Sequence, residues 1–416
     1  MTALTQFKAQ PATWQPRRLL DAPHRLGFAL GAAAMALLAL WWLAVQAAVA
    51  LGGASGLAWA LPAALAHGLL FTFGFMPAFM AGFLFTAGPR WLERPAVQAR
   101  SLLGPLQQWA AGVALLLAGA HTHPWPAALG LAALAAAWLR LMLGFAAMLG
   151  ASRVADRLHA RCILAAGSLG VAALLLACAA LLVGDMHWLD VAVRVGLWGF
   201  VAPVFAAASH RMIPFFAAAG LARLEAWQPN AMLLPMLGGL ALGGLADVGA
   251  LPPGLAAPPL ALASAVLLFV ALRRAWLHRT AGPSQRLSSM LQGGFAWLGL
   301  ALGLQAASLA RQAGGEAGFG AAPLHVLTLG WMGSTLLATA TRVAAGHGGR
   351  PLAVDGAGWA LYRLLQLAVL LRLAAGLGLA HAGLVLAAAA WAVVATGWAG
   401  RLLGWLGRPR ADGRAG

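Results

Sequence analysis

The sequence predicts an all-α, polytopic integral membrane bundle of about twelve transmembrane helices, with N and C termini cytoplasmic. Three observations point there. The 416 residues are 62% hydrophobic and only 9% charged, with a mean hydropathy of +0.82, whereas a soluble domain carries about a quarter charged residues. The apolar runs are long and lack the apolar/polar alternation of a membrane β-barrel, so backbone amides in hydrocarbon are satisfied within helices. The arginines recur in short groups between those runs and alternate in number from loop to loop.

Residues 1–23 hold Lys8, Arg17 and Arg18 and read as a cytoplasmic tail. They contain no short apolar stretch followed by a small-residue cleavage site, so no cleaved signal peptide is expected. A single transmembrane domain follows over 24–407, and 408–416 form a second cytoplasmic tail. Helices are expected at about 25–51, 57–87, 102–120, 125–149, 160–184, 188–216, 228–249, 255–278, 287–311, 323–345, 357–379 and 382–406. Each covers roughly 30 Å of hydrocarbon at about 1.5 Å per residue.

Charge tests the threading. Loops assigned inside carry Arg90, Arg94 and Arg100; Arg153, Arg157 and Arg161; Arg211 and Arg223; Arg273, Arg274, Arg279 and Arg286; Arg342 and Arg350. Loops assigned outside carry only Arg311, with Glu316 beside it. Dropping one helix scrambles this alternation, so the even count and the orientation stand together. The same pattern absorbs the net charge of +17 and excludes a nucleic-acid partner, because no basic face is concentrated in one place. Cys162 and Cys178 share one apolar segment and offer neither a disulfide framework nor metal-ligand spacing.

Ionisable side chains at membrane depth are costly and usually have a task. Five stand out: His67, His325, Arg194, Arg363 and Arg372. His67 lies about ten residues into the second helix, at a depth of roughly 15 Å; His325 opens the tenth. Both helices enter from the outside, so the two imidazoles sit at a similar level. Neutral imidazole ligates iron and copper, and the pair reads equally as metal ligands or as core histidines hydrogen-bonded to neighbouring helices. The arginines suit either counter-charges for an acidic cofactor or snorkelling to the surface. His121, His123, His187 and His381 read as solvated outer-loop residues; His24, His159 and His278, among inside arginines, receive no role. No residue set suggests catalysis.

Three segments carry a resemblance. The first is His67-Gly-Leu-Leu-Phe-Thr-Phe-Gly74 through Ala81-Gly-Phe-Leu-Phe-Thr-Ala-Gly-Pro-Arg-Trp91. The second is His210-Arg-Met-Ile-Pro-Phe-Phe216. The third is Leu324-His-Val-Leu-Thr-Leu-Gly330, continuing to Thr341-Arg-Val-Ala-Ala-Gly-His-Gly-Gly-Arg350. Together they resemble the NnrS family of haem- and copper-containing membrane proteins associated with the bacterial response to nitric oxide.

That resemblance implies a multi-pass protein of the bacterial inner membrane, linked to nitrogen-oxide stress or denitrification. It implies haem on His67 and His325, and an electron donor or nitric oxide as partner besides the lipid bilayer. Arg211, Arg342 and His347 match the family's cytoplasmic-side motifs and form the rest of the expected cofactor set. Copper has less support. The family's H-A-H-E motif falls on Leu65 and Gly68 at its first and last positions, and its L-H-x-x-Y stretch falls on residues around Gln292 that include neither His nor Tyr. Two other readings stay open: a transporter or permease for a small or anionic substrate, and a cofactor-free membrane scaffold.

Overall fold

A computed structural model describes residues 13–52, 58–217, 230–278, 286–379 and 382–413. Among them the secondary structure is helical throughout. His381, Arg223 and Arg279 lie outside the described residues.

The chain opens with α1 (Pro23–Ala50) and then crosses again as a broken pair, α2 (Ala63–Phe73) and α3 (Met76–Trp91). The sequence suggests one continuous helix over 57–87. Two features divide it: Pro77 near the start of α3 lacks the amide that would continue the ladder, and a Cβ on Gly74 would lie 2.2 Å from the Leu70 carbonyl oxygen. Next come α4 (Ala99–His121), α5 (Pro124–Gly150) and α6 (Leu158–Val183), each as long as a bilayer requires.

The sixth crossing is α7 (Met186–Val195), a π-turn over Gly196–Val201 and α8 (Ala202–Ala217). The seventh begins with short turns from Asn230 and ends as α9 (Gly239–Asp247). Then follow α10 (Pro253–His278) and α11 (Arg286–Ala313). The tenth crossing is α12 (Ala322–His325), a π-turn over Val326–Gly333 and α13 (Ser334–His347). Two last helices, α14 (Gly356–Gly376) and α15 (Gly383–Leu406), complete the chain.

Eleven of these runs are long and apolar enough to cross a membrane. The run from Ala322 to His347 is not among them, because Thr328, Ser334, Thr335, Thr339, Thr341 and Arg342 dilute its hydropathy. Its apolar neighbours are other helices rather than lipid, since almost every side chain from Val326 to Ala338 is at least partly buried. It must nonetheless cross. The amide of Gln15 donates to the Gly407 carbonyl at 2.8 Å, and the Trp14 indole donates to the Leu403 carbonyl. The segments that precede α1 and end α15 therefore meet on one face, which requires an even number of crossings between them. Arg25 at the start of α1 also caps the end of α15, donating to the carbonyls of Leu406 and Arg408.

Helix α1 packs against α3 and α15, while α4–α5, α5–α6, α10–α11 and α14–α15 form antiparallel pairs. The second crossing is the most enclosed, 83% buried over its apolar window. The start of α3 and the segments just after the π-turns of the sixth and tenth crossings converge on a small apolar cavity of about 50 Å³, lined by residues such as Met76, Phe79, Val204, Phe205, Thr335 and Thr339.

Candidate functional site

His67 is the fifth residue of α2, which starts at Ala63 after Pro62. The helix begins later than the sequence suggests, so the imidazole lies only about 6 Å below the helix start rather than 15 Å. His325 is the fourth residue of α12, just before the π-turn. Each histidine thus sits one turn inside its own helix, at the same outer level, and the two rings face one another. Their centres are 6.3 Å apart and their planes differ by 8°.

Packing fixes the two rings differently. Trp42 of α1 stacks on His67 with centres 4.0 Å apart, and Phe71, one turn further along α2, contacts it at 4.2 Å. His67 Nδ1 is buried with no hydrogen-bond partner. His325 Nδ1, by contrast, is 2.8 Å from the Ala321 carbonyl. A carbonyl only accepts, so Nδ1 carries the proton and Nε2 keeps its lone pair. This is the arrangement in which an outer hydrogen bond sets the tautomer of a ligating histidine. A π-turn directly after His325 is itself a common device at functional positions.

Of the membrane arginines, Arg372 on α14 belongs to this site: it lies close enough to act electrostatically on both His67 and His325. Arg194 does not. Its guanidinium is clamped between Asp190 at 2.6 Å and Asp247 at 2.8 Å, and Asp247 also accepts from the Trp198 indole. Arg363 is exposed on α14.

The residues expected on the cytoplasmic side go to separate partners. Arg211 pairs with Asp156 at 2.6 Å and lies over the Trp91 ring at 5.9 Å. This hydrogen bond is the main reason the Asp156 carboxyl sits below the usual carboxylate range. His347 packs instead against His24, ring centres 4.4 Å apart. Arg342 is half-buried late in α13.

Two further histidine pairs therefore exist that the sequence gives no means of finding. His24, 1% exposed, meets His347 across α1 and α13. His159 on α6 and His210 on α8 share a hydrogen bond, Nε2 to Nδ1 at 2.8 Å. All four lie near the arginine-rich face, but nothing in their spacing announces which loops adjoin. The outer His121 and His123 do not converge. His121 accepts from the Trp41 indole and donates to the Ala58 carbonyl, so it is a packed residue and not a solvated one. His123 caps α5 by accepting from the Trp125 amide.

Among the described residues no group of three or more His, Cys, Asp or Glu side chains converges as a metal cage. A metal in this protein would thus rest on paired imidazoles, with any further ligands supplied by a macrocycle or small molecules. Among curated proteins none matches the chain. The family described as NnrS protein matches residues 18–410, nearly the whole sequence and all of the crossings.

Proposed function

The chain belongs to the NnrS family, and from that premise we propose that it is a haem-binding, multi-pass protein of the bacterial inner membrane. Its physiological setting is nitric oxide or nitrogen-oxide stress, with an electron donor or nitric oxide itself as partner. The observation that carries this reading is the facing pair His67 and His325. The two imidazoles would hold the iron through their ring nitrogens. Their ring centres lie 6.3 Å apart, and the Nδ1 of His67 has no hydrogen-bond partner.

In this reading His67 and His325 hold the iron, Trp42 and Phe71 fix the plane of the first ring, and the Ala321 carbonyl fixes the second. Arg372 supplies positive charge for the propionates, which a guanidinium matches with paired hydrogen bonds. The haem supplies an iron that exchanges single electrons. Copper is the weaker part of the family inheritance here. Leu65 and Gly68 provide no ligand, and the described residues contain no three-ligand cluster. Arg211, Arg342 and His347 act in this reading at the cytoplasmic border, away from the iron.

Protein purified from haem-replete cells should show a Soret band that changes on reduction. His67→Ala or His325→Ala should abolish or shift it while the folded yield stays close to that of the parent. A well-folded, colourless preparation would defeat the proposal.

A permease is the second reading, and one observation favours it. The break between α2 and α3 and the π-turns of the sixth and tenth crossings lead into the same central cavity, as interrupted helices do at transporter sites. That cavity carries no charged side chain, so the substrate it suits is small and neutral rather than anionic. Uptake of such a solute by haem-free proteoliposomes would distinguish this reading from the first.

A further inference from the structure

The loop that joins α13 to α14 roofs a second cavity of about 300 Å³, walled by α11, α13, α14 and α15. It lies on the face where both chain ends meet, among the inside arginines. Arg350 and Arg401 line it together with one carboxylate, Asp355. That carboxylate is already committed. One oxygen caps α14 by accepting from the Gly358 amide at 2.8 Å, and the other accepts from Arg401.

Arg350 has no carboxylate partner among the described residues. Its guanidinium lies over the Trp405 ring at 5.2 Å, and among the described residues no acceptor takes its N–H groups. Burial and then the nearby positive charge of Arg408 push the Arg350 guanidinium below the usual arginine pKa. The cavity therefore holds an excess of positive charge with unfilled donors. Thr341 supplies one more: its oxygen accepts from the Trp398 indole at 3.0 Å, and its own proton remains to be donated.

The remaining walls are apolar, including Leu337, Leu402 and Val354. Leu352, in the roofing loop, is 46% exposed, a placement that fits immersion in the interfacial layer better than open water. An apolar pocket with a few convergent donors is the usual form of a ligand site, and basic pockets between helices at the cytoplasmic leaflet take anionic lipid headgroups.

We propose that this cavity binds the phosphodiester headgroup of an anionic phospholipid, with Arg350 as the principal contact and Arg401 and Thr341 as supporting donors. The site is independent of the histidine pair and does not rest on the haem reading.

The test uses the full chain, delipidated in an uncharged detergent and titrated with dioctanoyl phosphatidylglycerol. Dioctanoyl phosphatidylcholine and inorganic phosphate are titrated in parallel. Melting temperature and the lipid retained in native mass spectrometry are the two readouts. Phosphatidylglycerol should raise the melting temperature saturably and be retained at one site, while phosphatidylcholine does neither. Losing one charge-assisted contact corresponds to about tenfold or more in affinity, so Arg350→Gln should weaken binding by that factor and Arg350→Lys by less. Thr341→Phe, which fills the cavity without removing a charge, should also lose the lipid; it keeps the test decisive if Arg350→Gln does not fold. Equal responses to the two lipids would overturn the proposal. So would unchanged phosphatidylglycerol binding in both Arg350→Gln and Thr341→Phe. Phosphate binding as tight as the lipid's would reassign the cavity to a soluble phosphate and refute the headgroup.

Discussion

His159 and His210 face each other across α6 and α8, Nε2 to Nδ1 at 2.8 Å, with both rings buried. One ring must donate and the other accept, so each is the other's condition for burial. Removing one leaves its partner's nitrogen in apolar surroundings, at a cost of about 1–3 kcal/mol. His159→Leu and His210→Leu should each lower the melting temperature in detergent. The double variant should lose less than the sum of the two, because it no longer buries an unsatisfied nitrogen. Strict additivity in that cycle would mean the two rings are not coupled.

Helix α1 approaches α3 so closely that only glycine fits at the crossing. A Cβ on Gly27 would lie 2.6 Å from Gly82 Cα and 2.6 Å from the Ala78 carbonyl oxygen. Neither neighbour is a flexible side chain that can yield, and small residues at such crossings let membrane helices pack by dispersion. Gly27→Val should therefore cost about 1–3 kcal/mol as overpacking, seen as a lower melting temperature and reduced yield in detergent. Gly400→Ala on α15 is the matched control, since a Cβ there meets nothing within 4 Å.

How much of this was legible in the sequence depends on the range of the interaction involved. Hydropathy acts along the chain, and arginine sidedness is set loop by loop, so the crossings and their even number follow directly. The histidines 67 and 325 were legible as a level-matched pair because helix direction alone fixes depth. Their exact depth was not, since Pro62 and Gly74 shorten α2 from both ends. Partnerships between distant helices were hidden altogether. Arg194 has Asp190 one turn away on its own helix, but its second partner, Asp247, is more than fifty positions away and shows only in the fold. His24 and His159 look like arginine-loop residues until His347 and His210 close on them.

Two carboxylates tie loops to helices on the arginine-rich face, and each should make stability fall in acid. Asp156 is held below the usual carboxylate range chiefly by its hydrogen bond from Arg211. Asp355 is held there by the Gly358 amide and then by Arg401. A carboxyl depressed on folding contributes fully above its unfolded value of about 3.9 and loses that contribution as pH falls through the lower folded value. Both side chains are at least half exposed, 50% and 58%, so each is worth only about 0.5 kcal/mol. The melting temperature should be flat in this respect from pH 7 to about 5 and decline below pH 4. Asp156→Asn combined with Asp355→Asn should flatten the decline, and high salt should weaken it in the parent. An acid decline unchanged in the double variant would place its origin elsewhere.

Arg372 offers the sharpest separation between a histidine pair that merely packs and one that holds a cofactor. It is the charged side chain that acts on both His67 and His325, and it has no carboxylate partner among the described residues. A lone guanidinium beside two imidazoles is repulsive toward any cation placed between them and attractive toward an anion-bearing group. Under the proposed function, haem would bring its iron to the imidazoles and its propionates to the arginine. Arg372→Gln should therefore leave the fold intact, since it removes a cost of burial, yet reduce haem occupancy by about tenfold through the loss of a charge-assisted contact. Arg372→Lys should retain part of that occupancy, because an ammonium keeps the charge but not the paired geometry. The ratio of Soret to protein absorbance across the three proteins, each checked for monodispersity, measures it. Equal ratios in all three would remove Arg372 from the site while leaving the ligand pair to be judged on its own substitutions.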